Sequence, residues 1–436
     1  MDIIGAIASA APNTGMNDLH QKIDKYVYEL RMIEIDEYRY GMNRKKIDEE
    51  KAYEMIIDVP DSQCNAVLSF WKGRVADPGL RHHKLSRFEK SESRARALYQ
   101  KAVDLDIEGM AEAGDQYACR CLGEMYQWGW GVDQDAATAV KWCRKAAEQG
   151  YADAQFYLGE TYSGGWGVDK NYATAVEWYR KAAEEGHAVA QDNLGGMYEN
   201  GYGVDQNNAT AVEWYIKAGE QGYADAQTQL GDMYLDGCGV DENGSIAAEW
   251  HLKAAEQGHS IAHIQLAKMY ENGLGVDQNY STAVEWYRKL AEQGSGFMCD
   301  DAQLRIGEMY EHGLGVDQNY STAAEWYRKV SKKDSYKAAA AQVHLGRMYE
   351  NGLGVDQNYS TAVEWYRKAA EEGNFDASAA AQFNLGRMYE KGLGVDKNES
   401  TAMEWYRKAV EEGNVEAQFD LDRLTKSLRK RKNSEM

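Results

Sequence analysis

Nowhere in the 436 residues do about 18 apolar residues follow one another, so no segment is built to span a membrane. Basic side chains are also in deficit. Lys and Arg number 49 against 70 Asp and Glu, a formal net charge of −21, which removes the cationic footprint that general nucleic-acid binding requires. The six cysteines (Cys64, Cys119, Cys121, Cys143, Cys238 and Cys299) are few and irregularly placed, unlike a disulfide framework. Cys119 and Cys121 form C-x-C without the second close pair of a zinc site, so the expectation is reduced thiols in a cytoplasmic protein. The opening "MDIIGAIASAAP" has a short apolar core ending in small residues but carries Asp2 where a signal peptide is basic.

Catalytic signatures are missing as well. No G-x-S-x-G elbow occurs. His259 and His263 stand four apart without the intervening Glu of a metalloprotease helix, and His82 and His83 with Cys64 lack an orienting third group. The chain is therefore expected to need no metal or cofactor and not to be an enzyme.

What is present is a repetition. Trp142, Trp178, Trp214, Trp250 and Trp286 recur every 36 residues, and Trp326, Trp365 and Trp405 continue at 40, 39 and 40. A period of this size means a solenoid whose units cannot bury their apolar faces alone. Ala190, Leu194 and Tyr198 make one helical stripe, and Ala211, Trp214 and Ala218 the matching stripe on a second helix. Gly195 and Ala211 are small enough to let the two helices approach closely. Truncating a buried Trp such as Trp286 would cost ~3–5 kcal/mol.

Between the helices lies G-x-G-V-D-x-N, as in "GLGVDQN" from Gly273. It resembles a phosphate-cradling loop but lacks the preceding strand and third glycine of a dinucleotide fingerprint. As a joint it is complete. Gly273 supplies a left-handed residue at the helix end, Gly275 a second unusual angle, Val276 an apolar plug and Asn279 an N-cap. The Asn-x-Ser/Thr sequons from Asn208 to Asn398 coincide with or adjoin this cap column. Glu285 and Lys289 have the spacing of a favourable ion pair on an outer face.

The words L-G-x-M-Y, G-x-G-V and A-x-x-W-Y-x-K-A-A-E-x-G resemble the Sel-one-like repeat family, relatives of tetratricopeptide repeats, over about residues 92–424. A departure is Asp277 and Asp317 where the family often has Pro. The resemblance implies an all-α, right-handed α/α superhelical solenoid acting as a scaffold or adaptor that binds a protein or peptide. Bacterial relatives also suggest an immunity-type inhibitor of a toxin or enzyme as the alternative.

Three parts are expected: a helical N-terminal cap with a polar loop (1–90), the repeats (91–413), and a capping helix with a basic tail (414–436). Eight full helix pairs begin near Asp115, preceded by a lone second helix carrying Ala95, Leu98, Tyr99 and Ala102. Insertions "SGFMCDD", "SKKDSYKAAAA" and "NFDASAAA" should lengthen three first helices at their starts. Asp334, where Gly usually ends a second helix, marks an irregularity.

In such solenoids the concave wall is formed by the first helices, a point taken from the resemblance. It places one position before the conserved Leu, one two after it and one six after it on that wall. Early repeats offer Glu124, Trp128, Tyr157, Glu160, Asp232 and Asp236; later ones offer Lys268, Arg305, His312, His344, Arg347, Asn384, Arg387 and Lys391. An acidic-aromatic end and a basic end are expected, with Trp130, Trp166 and Tyr202 helping the first. Charge reversal at Arg347 and Arg387 should weaken partner binding.

Overall fold

A computed structural model describes residues 69–70, 92–292, 297–332, 337–372 and 375–435. The expected N-terminal cap, apart from Ser69 and Phe70, lies outside the described residues, as does Asp334. The described residues form nineteen α-helices and no strand. They divide into two compact units, Met1–His259 and Ser260–Met436.

In the first unit, helices Glu92–Asp104 and Ile107–Glu112 precede four helix pairs, each made of a helix A and a helix B. Pair one is Gln116–Trp128 with Ala136–Ala147, and pair two Ala152–Gly164 with Tyr172–Glu184. Pairs three and four are Ala188–Asn200 with Asn208–Glu220, and Ala224–Asp236 with Gly244–Glu256. The short helix Ile107–Glu112 was not expected. It is started by Asp106, whose carboxylate accepts from the Gly109 amide at 3.0 Å.

The second unit holds pairs five to eight and a terminal helix, Val415–Glu435. Its pairs are Ser260–Asn272 with Tyr280–Ala291, Phe297–His312 with Tyr320–Val330, Ala338–Asn351 with Tyr359–Glu372, and Phe375–Lys391 with Glu399–Glu411. The insertions lengthen helix A of pairs six and eight to 16 and 17 residues, against 13 in pair five. Helix A of pair seven gains only one, at 14. Asp422, in place of the packing glycine, is exposed on the terminal helix.

The joint is built as the sequence implies. Gly273 and Gly275 both have φ +69°, and Asn279 Oδ1 accepts from the Thr282 amide at 3.1 Å. Gln278 adds a bond that sequence reading missed. Its side-chain amide donates to the Glu271 carbonyl at 2.9 Å, satisfying a carbonyl near the helix end, and Gln318 and Gln357 do likewise.

The second glycine has a larger task. A Cβ on Gly315 would stand 2.2 Å from the carbonyl carbon of Tyr280, the first residue of the previous helix B. The Ser281 hydroxyl donates to the Gly315 carbonyl at 2.9 Å, so the loop fastens one pair to the pair before it.

Two packing expectations are corrected. Gly195 does not chiefly bring backbones together; a Cβ there would stand 2.7 Å from the Tyr215 ring, and Gly307, Gly346 and Gly386 receive Tyr327, Tyr366 and Tyr406 alike. In these pairs the tyrosines, more than the tryptophans before them, are the centre of the core, although Trp142 and Trp286 are themselves buried as expected. Tyr327, Tyr366 and Tyr406 are wholly buried, whereas Trp326, Trp365 and Trp405 are half-buried.

The lysine three residues on covers the tryptophan. Lys289 Nζ is 3.7 Å from the Trp286 ring centroid and Lys217 is 3.6 Å from Trp214, where the sequence suggested pairing with the glutamate four residues earlier. In urea denaturation, Tyr366→Ala is therefore expected to cost ~4 kcal/mol and Trp365→Ala roughly half that, since the cost of truncation follows burial.

Candidate functional site: the helix A wall

The wall residues fall into two sets, those engaged in holding neighbouring pairs together and those left exposed. In the second unit the first set forms a recurrent node. Glu311, on helix A of pair six, accepts from the Tyr327 hydroxyl at 2.7 Å on its own helix B. It also meets Arg347 Nη2 at 2.6 Å and His344 Nδ1 at 3.1 Å on helix A of pair seven. His344 in turn stacks on Tyr327, with centroids 4.6 Å apart.

The same construction joins Glu271 to Tyr287 and Arg305, Glu350 to Tyr366 and Arg387, and Glu390 to Tyr406 and Arg423. Arg387 also donates to Asn384 at 3.3 Å, and Arg305 pairs with Glu308.

The electrostatics follow the geometry. Burial alone would raise the Glu311 carboxyl, but hydrogen bonds from His344 and Tyr327 and the charges of His344 and Arg347 hold it down at about 2. Burial, the facing carboxylate and the hydrogen bond to it push the Tyr327 hydroxyl far above its ordinary range.

The first unit uses its acids in the same way. Glu124 is buried and pairs with buried Arg120 at 3.1 Å. Glu160 accepts from the Tyr179 hydroxyl at 2.5 Å and from Asn193 of the next pair at 2.8 Å. Tyr157 is buried, and Asp232 lies 3.3 Å from buried His251. Glu124, Glu160, Asp232, Arg305, His344, Arg347, Asn384 and Arg387 are thus placed in links within or between pairs, and Tyr157 in the packed core. Trp128, Asp236, Lys268, His312 and Lys391 are exposed on the wall.

An open recess of about 410 Å³ in the second unit is lined by Lys268 and Asn272 from pair five and Arg305 and Glu308 from pair six. All four are wall positions read from the sequence. Lys337, paired with Asp301 at 2.5 Å, completes its edge.

Of the remaining candidates, Cys64, His82 and His83 lie outside the described residues, and His259 and His263 are engaged in packing and hydrogen bonds. His259 Nε2 lies 2.8 Å from Asp225 and Nδ1 3.0 Å from the Thr228 hydroxyl, while His263 packs edge-on against Trp286. No group of three or more potential metal ligands occurs among the described residues. Cys119 and Cys121 are buried, and Cys143 fills the niche opposite Gly123 that His251 fills opposite Gly231 and tyrosine fills opposite Gly159, Gly195, Gly307, Gly346 and Gly386. No helix of the described residues is long and apolar enough to cross a membrane.

A family model for the Sel1 repeat matches residues 85–107, 116–151, 152–187, 188–223, 224–259, 260–295, 300–335, 339–374 and 379–414. The chain is similar in structure to a protective antigen of uropathogenic Escherichia coli strains that displays an SLR fold. The two share 40% identity with a TM-score of 0.66, over 72% of the present chain and 65% of the antigen, less than two thirds of the latter's length. It is also similar to a Sel1 repeat protein from Oxalobacter formigenes, at 29% identity and TM-score 0.57, over 81% of this chain and 99% of that one. None of the curated proteins matches the sequence.

Proposed function

The chain belongs to the Sel1 repeat family, and from that premise we propose that it is a non-catalytic scaffold binding a protein or peptide along the helix A walls. The observation that carries this is the division of labour between recurring and varying residues. Recurring Gly, Tyr, Asn and Gln are consumed by joints, while Lys268 and Asn272, exposed wall positions that vary, line an open recess beside the linked Arg305 and Glu308. A surface fixed by its scaffold and varied at its rim is suited to choosing a partner, with charge acting mainly on encounter rate and selectivity.

The ion-pair nodes change which variants test this. Reversing Arg347 or Arg387 would strip the partner from Glu311 or Glu350 and weaken the fold itself. Lys268 and Lys391 are exposed cations that hold no node carboxylate by an ion pair, Lys391 adding only its charge near Glu390. The variant Lys268→Glu/Lys391→Glu is expected to keep the wild-type melting temperature while losing about tenfold or more in affinity for a partner captured from native lysate, most strongly at low salt. Unchanged affinity at every salt concentration would remove this wall from the account.

A further inference from the structure

In the first unit the joint loops carry exposed aromatic rings beside the wall residue Trp128. Trp130, Trp166 and Tyr202 fill the slot between the two loop glycines in three successive pairs, making a row along one edge. Trp166 and Tyr202 are each 49% exposed and Trp128, whose ring centre is 6.3 Å from that of Trp130, is 58% exposed.

These rings are held as platforms. Trp130 stacks on Tyr99 at 5.1 Å, and Tyr202 stacks on Tyr172 at 5.1 Å with planes 16° apart. The Trp166 ring lies across Gly164, where a Cβ would come within 2.6 Å of it. Three residues after each slot stands an exposed aspartate: Asp133, Asp169 and Asp205. In the second unit the slot holds Leu274, Leu314, Leu353 and Leu393 instead.

Charge selects the occupant. Over residues 92–259 acids outnumber bases by more than two to one, whereas over 260–435 they are nearly balanced. An aromatic face attracts cations through its quadrupole, and a neighbouring carboxylate reinforces that attraction. The edge already shows this chemistry, because Lys170 Nζ sits 4.5 Å from the Tyr172 ring centroid.

We propose that the Trp128–Tyr202 edge docks an extended peptide segment rich in arginine or lysine, whose cations lie on the rings and pair with the loop aspartates. This names the partner's chemistry and rests on the protein-binding reading above. A neutral glycan would use the rings but gain nothing from the acids, and a nucleic acid would be repelled by them.

The test is tryptophan fluorescence of the full chain titrated with a short peptide alternating Arg and Ser, its Glu-substituted counterpart, and a neutral cello-oligosaccharide. Saturable binding of the Arg peptide alone is expected. Trp166→Ala/Tyr202→Ala should weaken it about tenfold or more, as loss of two cation–π contacts implies. Asp169→Asn/Asp205→Asn, which removes no packing group, should weaken it with a shallower salt dependence, while Lys268→Glu/Lys391→Glu should leave it unweakened.

Equal affinity in the two edge variants and wild type would mean diffuse attraction to an acidic chain and would overturn the proposal. So would saturable binding of the oligosaccharide in place of the peptide. If a partner captured from lysate still loses affinity in the lysine variant, the protein-binding reading survives that failure.

Discussion

Gly315→Ala should destabilise the chain by ~3–5 kcal/mol, while the same change at Gly313, two residues earlier, should cost only ~1–2. The two glycines have the same backbone conformation, φ +69° at Gly313 and +70° at Gly315. Each alanine therefore incurs the left-handed penalty of roughly 1–2 kcal/mol. They differ in what a methyl group would meet. At Gly313 the nearest atom is the Gln318 Cβ at 3.2 Å, a side chain with room to shift.

At Gly315 the methyl would meet the Tyr280 carbonyl carbon at 2.2 Å and the Ser281 amide nitrogen at 2.4 Å. That backbone opens a helix and cannot retreat without separating pair six from pair five. Urea midpoints of the two variants, measured side by side, check the difference. Equal losses would mean that the loop holds only its own turn.

Glu311→Gln carries the second large effect, and its sign depends on pH. The glutamine can still accept from Tyr327 but takes the counter-charge from half-exposed Arg347 and one of two from His344, which keeps Glu308 at 3.7 Å. A loss of ~2 kcal/mol at neutral pH is expected, between the values for exposed and buried pairs because Glu311 is buried while Arg347 is 46% exposed. In the folded chain the carboxyl titrates at about 2, below its ordinary 4.5. Its contribution is therefore present above about pH 4.5 and disappears as pH falls towards 2. The stability gap between wild type and variant should close over that interval in a series of denaturation curves. A gap that stays constant from pH 6 to pH 2 would show that the charge on Glu311 does not matter.

Much of the fold was legible because its signals are local. Asn279, Gly273 and Val276 act within a few residues of one another, and the tryptophan period counts the pairs. The choice between Trp326 and Tyr327 as core was not legible. Adjacent aromatics on a helix differ by about 100° in direction, and only the glycine across the interface decides which ring enters.

The nodes were missed for a different reason. Glu311 and Arg347 are 36 residues apart, and each alone looks like a solvated wall charge. A signal was nevertheless present: a glutamate sixteen residues before the core tyrosine recurs as Glu271/Tyr287, Glu311/Tyr327, Glu350/Tyr366 and Glu390/Tyr406. In these four cases an arginine follows in the next helix, whereas Glu199/Tyr215 keeps the spacing without one. In pair four, Leu235 stands at the glutamate position and the following wall cation, Lys268, is exposed. That contrast separates structural cations from those available to a partner.

Native-state hydrogen exchange on Glu311→Gln asks most directly whether the recurring residues fasten each pair to the next. Amide protection should fall together in pairs six and seven, Phe297–Val330 and Ala338–Glu372, because one carboxylate serves both. Protection lost in pair six alone, with pair seven unchanged, would contradict the account.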